Sequence, residues 1–202
     1  VGYAAGLPWL RLAAKPVPAL ALALLAFSRG GPLATPIGAG LVLGAAGDVL
    51  LERGATAASP DEAKRFFMLG LVAFLLGHLA YVVGFVRDTK ALALGRALPF
   101  LLFGSAVLGV AVPKAGPLAA PVAVYGVVIV LMMWRAAARI GTSPAPLAAW
   151  LGLFGACSFG FSDSLIAVNK FVGAVPGVRV AIMLTYWGGQ TLIALSVPRR
   201  QG

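Results

Sequence analysis

Along this chain polar residues do not alternate with apolar ones; they interrupt long apolar runs. The runs occupy residues 16–28, 35–51, 60 to about 86, 97–112, 118–140, 147–171 and 179–197. Continuous runs predict helices, whereas barrel strands would show ~10-residue alternating segments. A helix needs ~20 apolar residues to cross a bilayer. The pattern therefore predicts about seven spans. Residues 1–12, apolar but holding Pro8 and Arg11, read as the remnant of an eighth, since a chain that begins at Val1 is expected to be cut or processed. The run at 16–28 is short for a full crossing and reads as starting nearer Pro8. Arg29-Gly30-Gly31-Pro32 and residues 113–117, 141–146 and 173–177 carry turn chemistry. Ser59-Pro60-Asp61-Glu62 reads as a helix start, with Ser59 as cap, Pro60 at the first helical position and acids in the first turn.

Composition supports this pattern. The 202 residues are 60% hydrophobic and 11% charged, against about 25% charged in soluble domains. That is more apolar surface than a core of this length hides. The expected fold class is all-α: a polytopic transmembrane helical bundle, one integral membrane domain over residues 1–202. A net charge of +10 would suggest nucleic acid in a soluble protein. Here the Lys and Arg residues lie in the gaps between runs, so they read as membrane-flanking anchors, with no nucleic-acid partner expected. They divide about equally between the two sides and leave orientation undecided. The pairs Arg135/Arg139 and Arg199/Arg200 lean toward a cytoplasmic C-terminus. No intact signal peptide is legible before the short run after Lys15. Cys157, the single cysteine, lies within a predicted span and forms no intrachain disulfide.

Against this apolar ground, residues 161–170 stand out, because Asp163, Asn169 and Lys170 fall close together there. A charged side chain at the centre of a membrane helix costs about 2.5–3.5 kcal/mol on insertion scales. A second segment looks similar. Residues 40–51 end Gly-Asp-Val-Leu-Leu and residues 152–166 end Ser-Asp-Ser-Leu-Ile. The two helices are four spans apart, so they run the same way and carry Asp48 and Asp163 toward one side. The helix after each brings further polar residues, His78 and Tyr81 in one case and Tyr186 and Gln190 in the other. This suggests two related halves around a shared site.

Each of these residues has a plain reading and a functional one. The aspartates are helix-end or structural hydrogen-bonding residues, Asp48 near the headgroup boundary, or they are a carboxyl pair in one polar cavity, one acid and one base. Lys170 shares a helix face with Asp163 and either snorkels to the interface or binds a phosphate or carboxylate. His78/Tyr81 and Tyr186/Gln190 share faces at helical spacing and read as interhelical hydrogen bonders or site residues. Ser162 and Asn169 flank the acid and would orient it or a substrate. Tyr125 reads first as a packing or interfacial aromatic, and Met132, Met133 and Met183 as packing. Glu52, Asp61, Glu62 and Asp88 read as solvated loop or helix-end charges. One histidine argues against a multi-histidine zinc site, and neither metal nor cofactor is expected. Hydrolase motifs fail: Gly160-Phe161-Ser162-Asp163-Ser164 lacks the last glycine of a nucleophile elbow. Ala45-Ala46-Gly47-Asp48 departs from the intramembrane aspartyl protease pattern at Ala45, and nothing supports a Cys157–His78 pair.

The ordered set Lys15-Pro16, Gly47-Asp48-Val49-Leu50-Leu51, Gly77-His78-Leu79-Ala80-Tyr81, Ser162-Asp163-Ser164-Leu165, Asn169-Lys170-Phe171 and Tyr186 with Gln190 resembles the YhhN-like, or lysoplasmalogenase, family of integral membrane proteins. The resemblance runs from Lys15 to about Ser196 and implies eight spans. It implies hydrolysis of the vinyl ether bond of lysoplasmalogens to a fatty aldehyde and a glycerophospho-choline or -ethanolamine, without metal or cofactor. On that reading Asp48 and Asp163 are the catalytic acid/base pair. His78, Tyr81, Tyr125, Ser162, Asn169, Tyr186 and Gln190 shape the substrate site, and Lys170 meets the phosphate. The expected partners are a lysophospholipid and the bilayer, and the expected location is a bacterial inner membrane. A solute or lipid carrier using the same polar cluster is the main alternative; a purely structural membrane protein is another.

Overall fold

The computed structural model describes residue 12 and residues 14–199. The expected helix remnant at residues 1–12, with Pro8 and Arg11, falls almost wholly outside the described residues, as does Arg200. Among the described residues the chain forms helices and no strand: α1 Val17–Arg29, α2 Ala34–Ala55, α3 Pro60–Asp88, α4 Leu98–Ala111, α5 Ala119–Ala138, α6 Pro146–Ala167 and α7 Val178–Leu195. A π turn, Val168–Val172, prolongs α6. Six of these, α4 and α5 together with their flanking 3-10 turns, are long and apolar enough to cross a membrane. The seventh expected span is not among them. α1 has 13 residues, and at about 1.5 Å per residue it falls well short of the ~30 Å hydrocarbon core. The start of α3 follows expectation. Ser59 Oγ accepts from Glu62 N at 3.2 Å, and Glu62 Oε2 accepts from Ala58 N at 3.0 Å.

Two antiparallel hairpins, α2–α3 and α6–α7, are the most extensive helix pairings. Both close on glycine. A Cβ on Gly40 would meet Gly77 O at 2.8 Å, and one on Gly77 would meet Gly40 O at 3.0 Å. In the second hairpin a Cβ on Gly155 would meet Gly189 O at 3.0 Å, and one on Gly189 would meet Gly155 O at 3.1 Å. Only glycine lets the backbones approach this closely. Gly40 and Gly155 each stand two helical turns before their aspartate, and Gly77 and Gly189 immediately precede His78 and Gln190. The similarity seen in sequence thus extends to how the hairpins are built. α7 also runs antiparallel to α2, with Gly44 beside Gln190 and Asp48 beside Tyr186. Hence α2 and α6 share a direction, and both aspartates lie toward the same end of the bundle, as expected.

The opposite end is tied by arginines that bond to helix-end carbonyls, which lack partners within their own helices. Arg29 Nη1 donates to Leu195 O and Val197 O at 2.9 and 2.8 Å. Arg135 donates to Ala91 O and Thr89 O, both at 2.8 Å. Arg96 donates to Ala137 O at 3.0 Å and to Ile140 O. Arg139, fully buried, donates to Asp88 Oδ2 at 2.7 Å and makes longer contacts to Ala148 O and Ser196 O. Burial lowers the Arg139 pKa, and the Asp88 hydrogen bond and charge oppose that shift. Two expected solvated charges are therefore corrected. Asp88 has a buried side chain paired with Arg139, and Glu52 is buried with Lys15 Nζ 3.3 Å from its Oε2. Met132 and Met133 pack in the core as expected, whereas Met183 lies exposed on the outer surface.

Candidate active site

Each aspartate is held by a tyrosine hydroxyl from another helix. Tyr186 Oη on α7 donates to Asp48 Oδ2 at 2.7 Å, and Gln190 Nε2 one turn later donates to Tyr186 Oη at 2.8 Å. Tyr125 Oη on α5 donates to Asp163 Oδ2 at 2.6 Å. His78 on α3 brings Nε2 to 3.7 Å from the same Asp163 oxygen, beyond hydrogen-bond range but within ion-pair reach. The hairpins exchange partners: Asp48 is served by the helix that follows Asp163, and Asp163 is approached by the helix that follows Asp48. The two carboxyl sites share one aromatic wall: Phe159 meets both His78, which approaches Asp163, and Tyr186, which holds Asp48, and Tyr81 stands edge to face with His78 at 6.1 Å.

Aromatic rings seal the cluster. His78 meets Phe159 and Tyr125 edge to face, with centroids 4.6 and 5.4 Å apart. Phe159 meets Tyr186 at 5.1 Å, and Phe74 closes on Tyr186 at 6.1 Å. Within this wall His78 Nε2, Tyr81 Oη and Gln190 Oε1 are buried and make no hydrogen bond among the described residues. An unsatisfied buried polar atom costs about 1–3 kcal/mol. Three in one cluster give the site unspent hydrogen-bonding capacity that a substrate oxygen or water can use. Among the described residues no group of three His, Cys, Asp or Glu side chains is placed to hold a metal.

Seven of the ten expected site residues come together here: Asp48, His78, Tyr81, Tyr125, Asp163, Tyr186 and Gln190. The other three do not join them. Ser162 Oγ donates to Ile182 O at 3.2 Å and so joins α6 to α7. Asn169 Oδ1 accepts from Val175 N at 3.0 Å and ties the π turn to the loop after it. Lys170 is exposed, its Nζ 4.0 Å from the Phe67 ring centroid. Two turns beyond Asp163, it marks the rim of the bundle. Asp48 is not a helix-end residue, because α2 continues two further turns and Glu52 between them is itself buried. In sequence Tyr125 reads first as a packing or interfacial aromatic. The signal that it does more is its phenol, which needs a partner when buried in an apolar run. Phe159 and Phe74 carried no sequence signal, since nothing separates them from other core phenylalanines.

Tyr186→Phe deletes the donor to Asp48 and strands Gln190 Nε2. In detergent its unfolding free energy is expected to fall by about 1–3 kcal/mol, whereas Ser162→Ala should lose about 1 kcal/mol or less. Equal melting of Tyr186→Phe and the wild type would show that the Asp48–Tyr186 bond is not made.

A model of the YhhN family matches residues 10–197. Lysoplasmalogenase TMEM86B of Homo sapiens is 32% identical over 196 residues, spanning 96% of this chain and 77% of its own length. Lysoplasmalogenase TMEM86A of Homo sapiens is 34% identical over 175 residues, spanning 85% and 69%. Lysoplasmalogenase TMEM86B of Sus scrofa is 30% identical over 192 residues, spanning 94% and 76%. No solved structure gives a significant match.

Proposed function

The chain belongs to the YhhN family, and on that premise we propose that it is a membrane hydrolase cleaving the vinyl ether bond of lysoplasmalogens. Its products would be a fatty aldehyde and glycerophospho-ethanolamine or -choline. The observation that carries this reading is the pair of carboxyl groups, each bonded to a tyrosine hydroxyl, in one buried cluster inside the membrane-spanning bundle.

Vinyl ether hydrolysis begins with a proton delivered to the alkene carbon away from the oxygen. The C=C electron pair forms the new C–H bond, and the positive charge left on the other carbon is shared with the ether oxygen. Water adds to that carbon and gives up a proton. The hemiacetal then collapses: its hydroxyl gives up a proton as the C=O bond forms, and the carbon–oxygen bond to glycerol breaks with its electron pair on the glycerol oxygen, which takes a proton. One acid and one base, drawn from Asp48 and Asp163, provide these transfers, each worth about 10²–10⁴ in rate. Negative charge beside the oxocarbenium ion is effective in a site kept from water. Tyr125 and Tyr186 fix the carboxyl orientations, while Tyr81, His78 and Gln190 offer hydrogen bonds to the ether oxygen and the water. Lys170, at the rim, is the headgroup phosphate contact. For a bacterial member, helical spans and not a barrel point to the inner membrane.

The purified protein should release aldehyde from a lysoplasmalogen and nothing from its saturated-ether and ester analogues. Ester cleavage, or proteoliposome uptake of the lysolipid with no aldehyde formed, would overturn the reading, the second outcome in favour of a carrier.

A further inference from the structure

Between α4, α5 and α6 lies an apolar groove that reaches the Asp163–Tyr125 pair. Its cavity volume is about 50 Å³, and the space between its walls reaches about 410 Å³ only when the part open to the outside is counted. Phe103, Val107 and Leu108 line it from α4, and Val122 and Ile129 from α5. Its polar lining residues are Tyr125, Asp163 and Ser164, and Ser164 Oγ is spent on Gly160 O at 2.7 Å. The groove is thus greasy along its length and acidic where it meets the site. Its direction is informative. From the level of Asp163 the lining runs inward to Phe103 and Ile129, toward mid-bundle, and outward past Val122, Ala111 and Ala167 to the end of the bundle whose rim carries Lys170. A lipid with one chain, its headgroup at the rim and its tail directed to the bilayer centre, matches that polarity.

We propose, building on the function above, that this groove seats the alkenyl chain of the lysolipid and thereby assigns the two carboxyl groups. The chain leaves from the vinylic carbon that must be protonated. A chain lying in the groove holds that carbon against Asp163, which borders the groove, while Asp48 does not. Asp163 therefore gives its proton to the chain-bearing carbon. The ether-bearing carbon, one bond further on, faces Asp48, whose carboxylate takes the proton from the adding water. Proton transfer from the water side back to Asp163 restores the starting state.

Three measurements test this. A saturated-ether lysolipid with a mid-chain diazirine, which is not hydrolysed, should label α4 and α5 near Phe103, Val107 and Ile129 on irradiation; labelling on α1, α2, α3 or α7 instead would overturn the groove whatever the enzyme's activity. Filling the groove in Val107→Trp should lower kcat/KM for an about 16-carbon chain by about 10-fold more than for an about 8-carbon chain. Phe103→Ala should shift preference toward longer chains, and equal changes at both lengths would overturn the proposal. Azide adds to an oxocarbenium ion without deprotonation, so it should restore substrate consumption in Asp48→Asn but not in Asp163→Asn. The opposite pattern would reverse the assignment. Labelling in the groove with no aldehyde from any vinyl ether would instead sink the proposed reaction and leave the groove standing.

Discussion

Asp163→Asn and Asp48→Asn, purified as folded membrane proteins, are each expected to release aldehyde about 10²–10⁴-fold more slowly than the wild type. The substitution keeps shape and volume. An Asn Oδ1 can still accept from Tyr125 or Tyr186, so the bonds of 2.6 and 2.7 Å have an acceptor of the same size. What an amide cannot do is give or take the proton. Stability and rate should therefore separate, with melting in detergent close to wild type and aldehyde release nearly lost. The two carboxyl groups act in successive steps of one reaction, so the double variant should lose far less than the product of the single losses. Wild-type aldehyde release from either folded single variant would remove that residue from the mechanism.

The largest expected effect on stability lies at the other end of the bundle. Arg139 is fully buried where α3, α5, α6 and α7 end or begin, and Asp88 is its only anionic partner among the described residues, at 2.7 Å. Asp88→Ala leaves that guanidinium charged, buried and short of its counterion, at a cost of about 3–5 kcal/mol. Removing both charges, in Asp88→Leu with Arg139→Met, should cost less than Asp88→Ala alone, because the penalty is the stranded charge and not the lost pair. Denaturation of the three proteins in mixed micelles gives the comparison directly. A double variant less stable than Asp88→Ala would mean that the contacts of Arg139 with Ala148 O and Ser196 O matter more than its charge balance. Because Asp88 lies at the opposite end from Asp48 and Asp163, its variants should retain chain-length preference while they remain folded.

The long spans were legible because a bilayer demands continuous apolar helix, and α2 to α7 appear where residues 35–51 through 179–197 placed them. The shortfall at α1 was legible too, in a run of 13 residues where about 20 are needed. The aspartates were legible as anomalies, since carboxyl groups are rare on apolar ground. Tyr125 was not, because a tyrosine suits a membrane interface as well as a site. Glu52 and Asp88 look solvated in the sequence for the converse reason. A charge at the end of an apolar run looks exposed until the partner that buries it, Lys15 or Arg139, is known to be near.

The sequence by itself determined the solvent, the class of fold, the common direction of α2 and α6 and the two carboxyl groups worth following. These are properties of length, hydropathy and local spacing. Only the tertiary structure decided which side chain meets which. That Asp48 receives Tyr186 from α7, that Asp163 receives Tyr125 from α5 with His78 beside it, and that Ser162 and Asn169 are spent on backbone groups all depend on how the helices are rotated about their axes. In these hairpins that rotation is set by close backbone approaches, Gly40 to Gly77 and Gly155 to Gly189, between residues on different helices. Hydropathy along one helix shows that it enters the membrane; which face it turns to its neighbours is decided by what those neighbours allow to come close.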